Sequence, residues 1–288
     1  MTQKRATPTV KRRRVGAQLR RYREELNLKS SDAAKLMKGW DTTRLSRIER
    51  GLYRVSGEEV RELTAKYGVT DEVAIAEIVS AAEEPPGTGW WSSYPVAQAY
   101  RDFVELEADA EEICIVNPVV IAGPVQTHGY AREIITRSAN AGAEQRAEQL
   151  VSIRMARQEV LYRPIKPVRL HVLIPQSALH AEFETAPVVM KEQIRKLLDV
   201  VDLPNVTLQI IPLSAHPAFV SNGAVTILRF RHPWAPVVSL DNPMGGDHSE
   251  DQEQVAYMEA VFEQTASIAL PVDKSRDLLS DYLEGLRK

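Results

Sequence analysis

The chain has 288 residues, 44% of them hydrophobic, and a single cysteine, Cys114, a length that fits about two domains and the composition of an ordinary globular protein. It lacks the roughly 18 consecutive apolar residues of a membrane span, the apolar run of a secretory signal, and a partner for an internal disulfide, so a cytoplasmic protein is expected. The formal net charge of -3 conceals a division: residues 1–66 carry 18 Lys and Arg against 8 Asp and Glu, and the remainder carries 18 against 31, so only the front end attracts phosphate.

Residues 1–14 contain Lys4, Arg5, Lys11, Arg12, Arg13 and Arg14 with few apolar residues, the signature of a basic flexible arm. Val15, Leu19, Tyr22 and Leu26 then recur at helical spacing. Further short helices are predicted near Ser30–Met37, Thr42–Arg50, Gly57–Tyr67 and Asp71–Ala82. Asp41 can cap the third helix, Ser56 with Glu59 has the spacing of a capping box, and Gly68 suits a helix stop. The run Glu83-Glu84-Pro85-Pro86-Gly87-Thr88-Gly89 breaks any helix, which gives a head at 15–83, a linker at 84–89 and a second domain at 90–288. In that domain helices are predicted over Tyr100–Ile115, Tyr130–Arg137, Glu144–Tyr162, Val188–Val200, Asp251–Ile268 and Lys274–Leu286. Strands are predicted over Val168–Ile174, Val206–Ile211, Ala224–Phe230 and Pro236–Leu240. The expected fold class is α+β: an all-α head of five helices followed by a larger mixed domain of helix and sheet.

The second and third helices of the head have the pattern of a helix-turn-helix, whose second helix enters the major groove and reads bases near its amino end. Thr42, Thr43 and Arg44 occupy those positions, while Leu45 and Ile48 face inward. Lys29, Ser30, Ser46, Arg47 and Arg54 surround this helix, and with Arg12, Arg13 and Arg14 of the arm they are candidates for phosphate contacts. An arbitrary helical bundle with a solvated basic face is the competing reading; charge, helix spacing and turn together favour DNA.

The stretch Val15-Gly16-Ala17-Gln18-Leu19-Arg20-Arg21-Tyr22-Arg23-Glu24-Glu25-Leu26, then Gly39-Trp40, then Leu45-Ser46-Arg47-Ile48-Glu49-Arg50-Gly51, resembles the Xre/Cro-repressor family. The resemblance implies an interhelical ion pair between Arg23 and Glu49 with a structural role, outside the base-reading set. The chain departs from that family at Ser30, where a Gln commonly opens the second helix, and at Val55, where a Pro often follows the recognition helix. The second domain carries Gly89-Trp90-Trp91, Leu106-Glu107, Ile121-Ala122-Gly123-Pro124-Val125-Gln126-Thr127-His128-Gly129-Tyr130 and Pro204-Asn205-Val206-Thr207-Leu208-Gln209. It resembles the carboxy-terminal domain of uncertain function found behind Xre heads in many actinobacterial regulators, often described as antitoxin-like. That resemblance implies a regulator whose partner is sometimes a small protein encoded nearby, and supplies no catalytic residues.

Common enzyme signatures are missing: the second domain has no G-x-S-x-G elbow, H-E-x-x-H, phosphate-binding loop or G-x-G-x-x-G after a strand. The six histidines lack the paired spacing of zinc sites, and neither a cofactor nor a metal is expected. Gln126, Thr127, His128 and Tyr130 fit either an effector pocket or a helix cap. Asp241, Asp247, His248, Glu250 and Asp251 fit a solvated loop better than an oxygen-ligated cation site. Cys114 reads as a small buried residue rather than a redox sensor.

The leading expectation is therefore a sequence-specific regulator of transcription that binds double-stranded DNA as a homodimer, with an acidic domain for sensing or dimerisation and no membrane partner. An antitoxin-like module that autoregulates its operon is the alternative, and an enzyme fused to a DNA-binding head is the third reading. Val255, Met258, Ala260, Val261, Phe262 and Ile268 form a candidate subunit seam, with packing inside the subunit as the competing fate.

Overall fold

The computed structural model describes residues 9–85, 89–137, 144–183, 188–216, 223–240 and 247–286. The chain divides into two compact units: Met1–Ser92 together with Phe230–Ala235, and Ser93–Arg229 together with Pro236–Lys288.

The first unit holds α1 (Val10–Glu25), α2 (Ser30–Lys35), α3 (Thr42–Glu49), α4 (Gly57–Lys66) and α5 (Glu72–Glu83). Each boundary has a local cause. Asp41 accepts from the Arg44 amide at 2.6 Å and Asp71 from the Ala74 amide at 2.9 Å. Ser56 and Glu59 form a complete capping box, with reciprocal bonds of 3.2 and 2.9 Å. Gly68, at φ +72°, follows α4 in the left-handed region that favours glycine. Leu19, Leu45, Ile48, Leu63 and Ile78 are buried in one core, and burying each such side chain contributes about 1.5–3 kcal/mol. Gly16 lets α1 cross the end of α3 closely, since a Cβ there would stand 2.3 Å from the Ile48 carbonyl oxygen.

The basic arm is shorter than the sequence suggests. Helix α1 starts at Val10, and Thr9 caps it by accepting from the Arg12 amide at 3.3 Å. Val10 is buried, so Lys11–Arg14 are carried on a docked first turn rather than on a tail. The low apolar content of that stretch hid Val10, the apolar side chain that helps to anchor it. Residues 1–8, with Lys4 and Arg5, lie outside the described residues.

The second unit is built on a six-stranded sheet of order β3-β2-β1-β4-β5-β6. Its strands are β1 (Glu112–Val116), β2 (Arg169–Pro175), β3 (Val206–Ile211), β4 (Val225–Arg229), β5 (Val237–Leu240) and β6 (Asp247–Ser249). Strand β1 pairs parallel with β2 and β2 with β3, while the remaining pairs are antiparallel. The crossover from β1 to β2 carries α7 (His128–Thr136) and α8 (Glu144–Arg157), and that from β2 to β3 carries α9 (Val188–Val201). Helix α6 (Gln98–Asp109) precedes the sheet, and α10 (Gln252–Ile268) and α11 (Val272–Gly285) close the chain.

Two expectations are corrected. The single helix expected over Tyr100–Ile115 is α6 followed by β1: the chain leaves the helix at Ala110 and runs extended through Ile113-Cys114-Ile115-Val116. A strand at the centre of a sheet is apolar on both faces, so its sequence has no alternation to separate it from a buried helix. The candidate subunit seam on α10 is also spent internally. Val255 and Phe262 are buried against Cys114, Val225, Ile227 and Val238, with Met258 and Ile268 packed beside them, while Ala260 faces solvent.

Candidate nucleic-acid interface

Helix α3 buries Leu45, Ile48 and Glu49 and turns the opposite face outward. Thr42 and Thr43 are exposed in its first turn, one residue beyond the Asp41 cap. Arg44 is half-buried: its guanidinium forms an ion pair with Glu59 and lies 4.8 Å from the centre of the Trp40 ring. The same Glu59 closes the capping box of α4, so the start of α4 fixes the direction of Arg44. Arg47 donates to the Tyr53 hydroxyl and lies 5.0 Å from that ring. Gly39, at φ +76°, makes the bend between α2 and α3 that brings Trp40 to Arg44.

The candidate phosphate contacts separate into two groups. Lys29 and Arg54 are exposed, and Ser30, Ser46, Arg12 and Arg13 are partly so. Burial first, and the like charge of Arg54 second, hold the Arg12 guanidinium below its usual basicity. Two cations set close together in this way are relieved by an anion between them. Arg14 departs from expectation: it is buried, with its guanidinium 3.8 Å from the centre of the Phe230 ring and 4.9 Å from that of Trp234. A buried cation over aromatic faces holds the unit together and cannot reach a phosphate.

Arg23 and Glu49 stand apart from this surface. Arg23 Nε donates to Glu49 Oε1 at 2.6 Å and Nη2 to Oε2 at 3.1 Å, while Nη1 donates to the Leu28 carbonyl at 2.7 Å. The hydrogen bond to Glu49 keeps Arg23 more basic than usual in spite of burial. This fork ties α1 to α3 and the turn before α2, and so sets how far α3 stands out from the head.

A helix-turn-helix domain model matches residues 14–77, and a second model, described as a domain of unknown function (DUF5753), matches residues 100–281. The second match covers more than half of the chain. The protein belongs to the DUF5753 family. No curated protein and no solved structure matches it. The helix-turn-helix match, with the exposed amino end of α3, makes this DUF5753 protein a DNA-binding regulator in its front unit.

In the DUF5753 domain the four candidate effector residues lie on the loop before α7 and on its first turn. Thr127 caps α7 by accepting from the Tyr130 amide at 3.2 Å, and the Tyr130 hydroxyl accepts from the Ile121 amide at 3.2 Å. His128 is exposed. Gln126 is buried, donating to the Ile121 carbonyl at 2.6 Å and accepting from Arg154 at 3.1 Å. The polar side chains of Gln126 and Thr127 serve backbone groups of a buried loop, as a helix cap does. Sequence reasoning missed Arg154 and Arg157 on α8, because an arginine in a helical pattern usually marks the solvent face. Arg157 is instead buried in a two-point ion pair with Glu107, at 2.6 and 2.9 Å, and donates to the Tyr100 hydroxyl at 2.9 Å. Burial works against its charge, and Glu107 and Tyr100 outweigh that and hold it above its usual basicity.

Of the acidic cluster, Asp241 lies outside the described residues, and Asp251 caps α10 by accepting from the Gln254 amide at 3.0 Å. Among the described residues no group of three or more His, Cys, Asp or Glu side chains could hold a metal ion, and no helix is long and apolar enough to cross a membrane. Cys114 is buried, and burial pushes its thiol up to about 11.

Proposed function

We propose that this DUF5753 protein is a sequence-specific transcriptional regulator that docks in the manner of Xre repressors, with α3 in the major groove. The observation that carries the reading is the exposure of Thr42 and Thr43 in the first turn of a helix whose other face is fixed in the core. Thr42, Thr43 and Arg44 are the base-reading residues. Arg44 gives one hydrogen to Glu59, and the guanidinium fork has further donors for a base edge. Lys29, Ser30, Ser46, Arg47, Arg54, Arg12 and Arg13 hold phosphates and set the register.

The second domain pairs subunits and receives a signal, without catalysis. Dimerisation is supported by the size of the head: one short recognition helix binds weakly, and paired heads meet half-sites roughly 34 Å apart. Genome-wide mapping of the bound DNA tests the whole reading. A recurring motif with two half-sites is expected; uniform occupancy would contradict it. Co-purification of one small protein in fixed ratio would move the main task of the second domain from sensing to partner binding.

A further inference from the structure

Arg44 stands where the proposed docking puts a base-reading residue, yet its place in the helix is unfavourable for a cation. It lies in the first turn of α3, three residues after the Asp41 cap, at the positive end of the helix dipole, where an acid is favoured. A carboxylate from another helix offsets this. Glu59 of α4 pairs with the Arg44 guanidinium, and the ring of Trp40, itself packed against the head core, lies 4.8 Å away.

The two partners are not equally free. Glu59 is fixed by its own helix: Oε2 accepts from the Ser56 amide at 2.9 Å, and the Glu59 amide donates to Ser56 Oγ at 3.2 Å. It also lies in the first turn of α4, the end of a helix that favours a carboxylate. The cap therefore occupies Oε2 and Arg44 occupies Oε1. Arg44 gives one Nη2 hydrogen to this contact, and a guanidinium has five N–H donors in a fixed fork. The carboxylate is the anchor and the guanidinium is the part that is aimed. Pairing also changes what the arginine can bind. A phosphate attracts a cation by charge in any orientation, and a carboxylate beside the guanidinium offsets that attraction; a base edge is bonded by directed N–H groups, which persist. Arg47, three residues on, has a neutral partner, since it donates to the Tyr53 hydroxyl. One helix thus carries an arginine aimed by an acid and an arginine held by a phenol.

We propose that Glu59, outside the recognition helix, is a specificity-determining positioning residue: it holds Arg44 toward a base edge and keeps it from closing on a phosphate. The inference rests on the base-reading role proposed above for Arg44, and the wild-type protein measured beside the variants tests that role separately.

Fluorescence anisotropy of the full-length protein on its mapped duplex and on a scrambled duplex of equal length, across a salt series, tests this with Glu59→Gln. Glutamine keeps the capping box and removes the charge. The variant should bind the mapped duplex more weakly and the scrambled duplex more tightly, so that the ratio of the two affinities falls by about tenfold, as one directed base contact supplies. On the scrambled duplex the log–log salt slope should steepen by about 0.9, one further phosphate neutralised. In an Arg44→Ala background the same substitution should leave the ratio unchanged, because Glu59 acts through Arg44. Ser56→Ala, which weakens the cap and keeps the carboxylate, should lower the melting temperature and leave the ratio near that of the wild type. An equal gain on both duplexes would make Glu59 only a nearby negative charge. A fall in the ratio that persists without Arg44, or that Ser56→Ala reproduces, would make its role structural, as would failure of Glu59→Gln to fold. Each of these results overturns the proposal. Wild-type discrimination that survives Glu59→Gln removes only this inference. Equal wild-type affinity for the two duplexes removes the regulator reading and this inference with it.

Discussion

In the proposed docking, sequence discrimination rests on Arg44. Arg44→Ala should cost roughly 1–3 kcal/mol on the mapped site and leave affinity for random DNA nearly unchanged, because a base contact discriminates and a phosphate contact does not. Equal losses on the two duplexes, measured by fluorescence anisotropy, would assign Arg44 to the backbone instead. Glu49 has the opposite profile. Its removal leaves Arg23 buried without its carboxylate, so Glu49→Ala should lower unfolding stability of the head by about 3–5 kcal/mol. Chemical denaturation followed by tryptophan fluorescence, with Trp40 and Trp234 packed against the core of the first unit, reads this. Cys114 sets a pH limit at the alkaline end. The thiol's folded value of about 11 lies above the reference value of 9.0. The unfolded chain therefore loses this proton first, and the stability it contributes is intact below pH 9 and declines as pH rises toward 11. At pH 8 the native protein should resist iodoacetamide at Cys114 while the denatured protein reacts; equal rates would contradict a buried neutral thiol.

At the scale of elements, what was legible in the sequence depended on whether a helix or strand had two unlike faces. The five helices of the head were readable because Leu19, Leu45, Ile48 and Leu63 recur at helical spacing and Asp41, Ser56 and Asp71 mark their starts. Strands β2 to β5 were readable as Val and Ile runs bounded by Pro or Gly. Strand β1 was not, since Ile113 to Val116 pack on both faces, nor was β6, where Asp247-His248-Ser249 has no apolar signal at all. The ion pair of Arg23 with Glu49 could be named from family resemblance, and the exposure of Thr42 and Thr43 from their position in the helix. The row of Ile115, Thr226, Ser239 and His248 across the sheet could not be named, because its members come from four strands and meet only through register. The docked first turn of α1 has its own consequence. Arg12 on that turn and Arg54 after α3 are close enough to depress Arg12's basicity, so the pair should grip one stretch of backbone. The double variant Arg12→Ala, Arg54→Ala should weaken binding to every sequence. It should also flatten the log–log salt dependence by about 0.9 for each phosphate the variant no longer neutralises. An unchanged slope would exclude the pair from the interface.

The chain joins a basic helix-turn-helix head to an acidic domain whose apolar α10 face is already used inside its own subunit. A dimer must therefore be built from other surfaces, and light scattering of the full-length protein on its mapped duplex should show two chains per site; one chain would end the dimer proposal. The central claim is sequence-specific recognition by the head, and the most direct measurement is the affinity of the full-length protein for the mapped duplex and for a scrambled duplex of equal length, at one fixed physiological salt concentration. Specific binding tighter by about a thousandfold or more is expected for a regulator. Equal affinity for the two duplexes would contradict the claim and reduce the head to a non-specific cation.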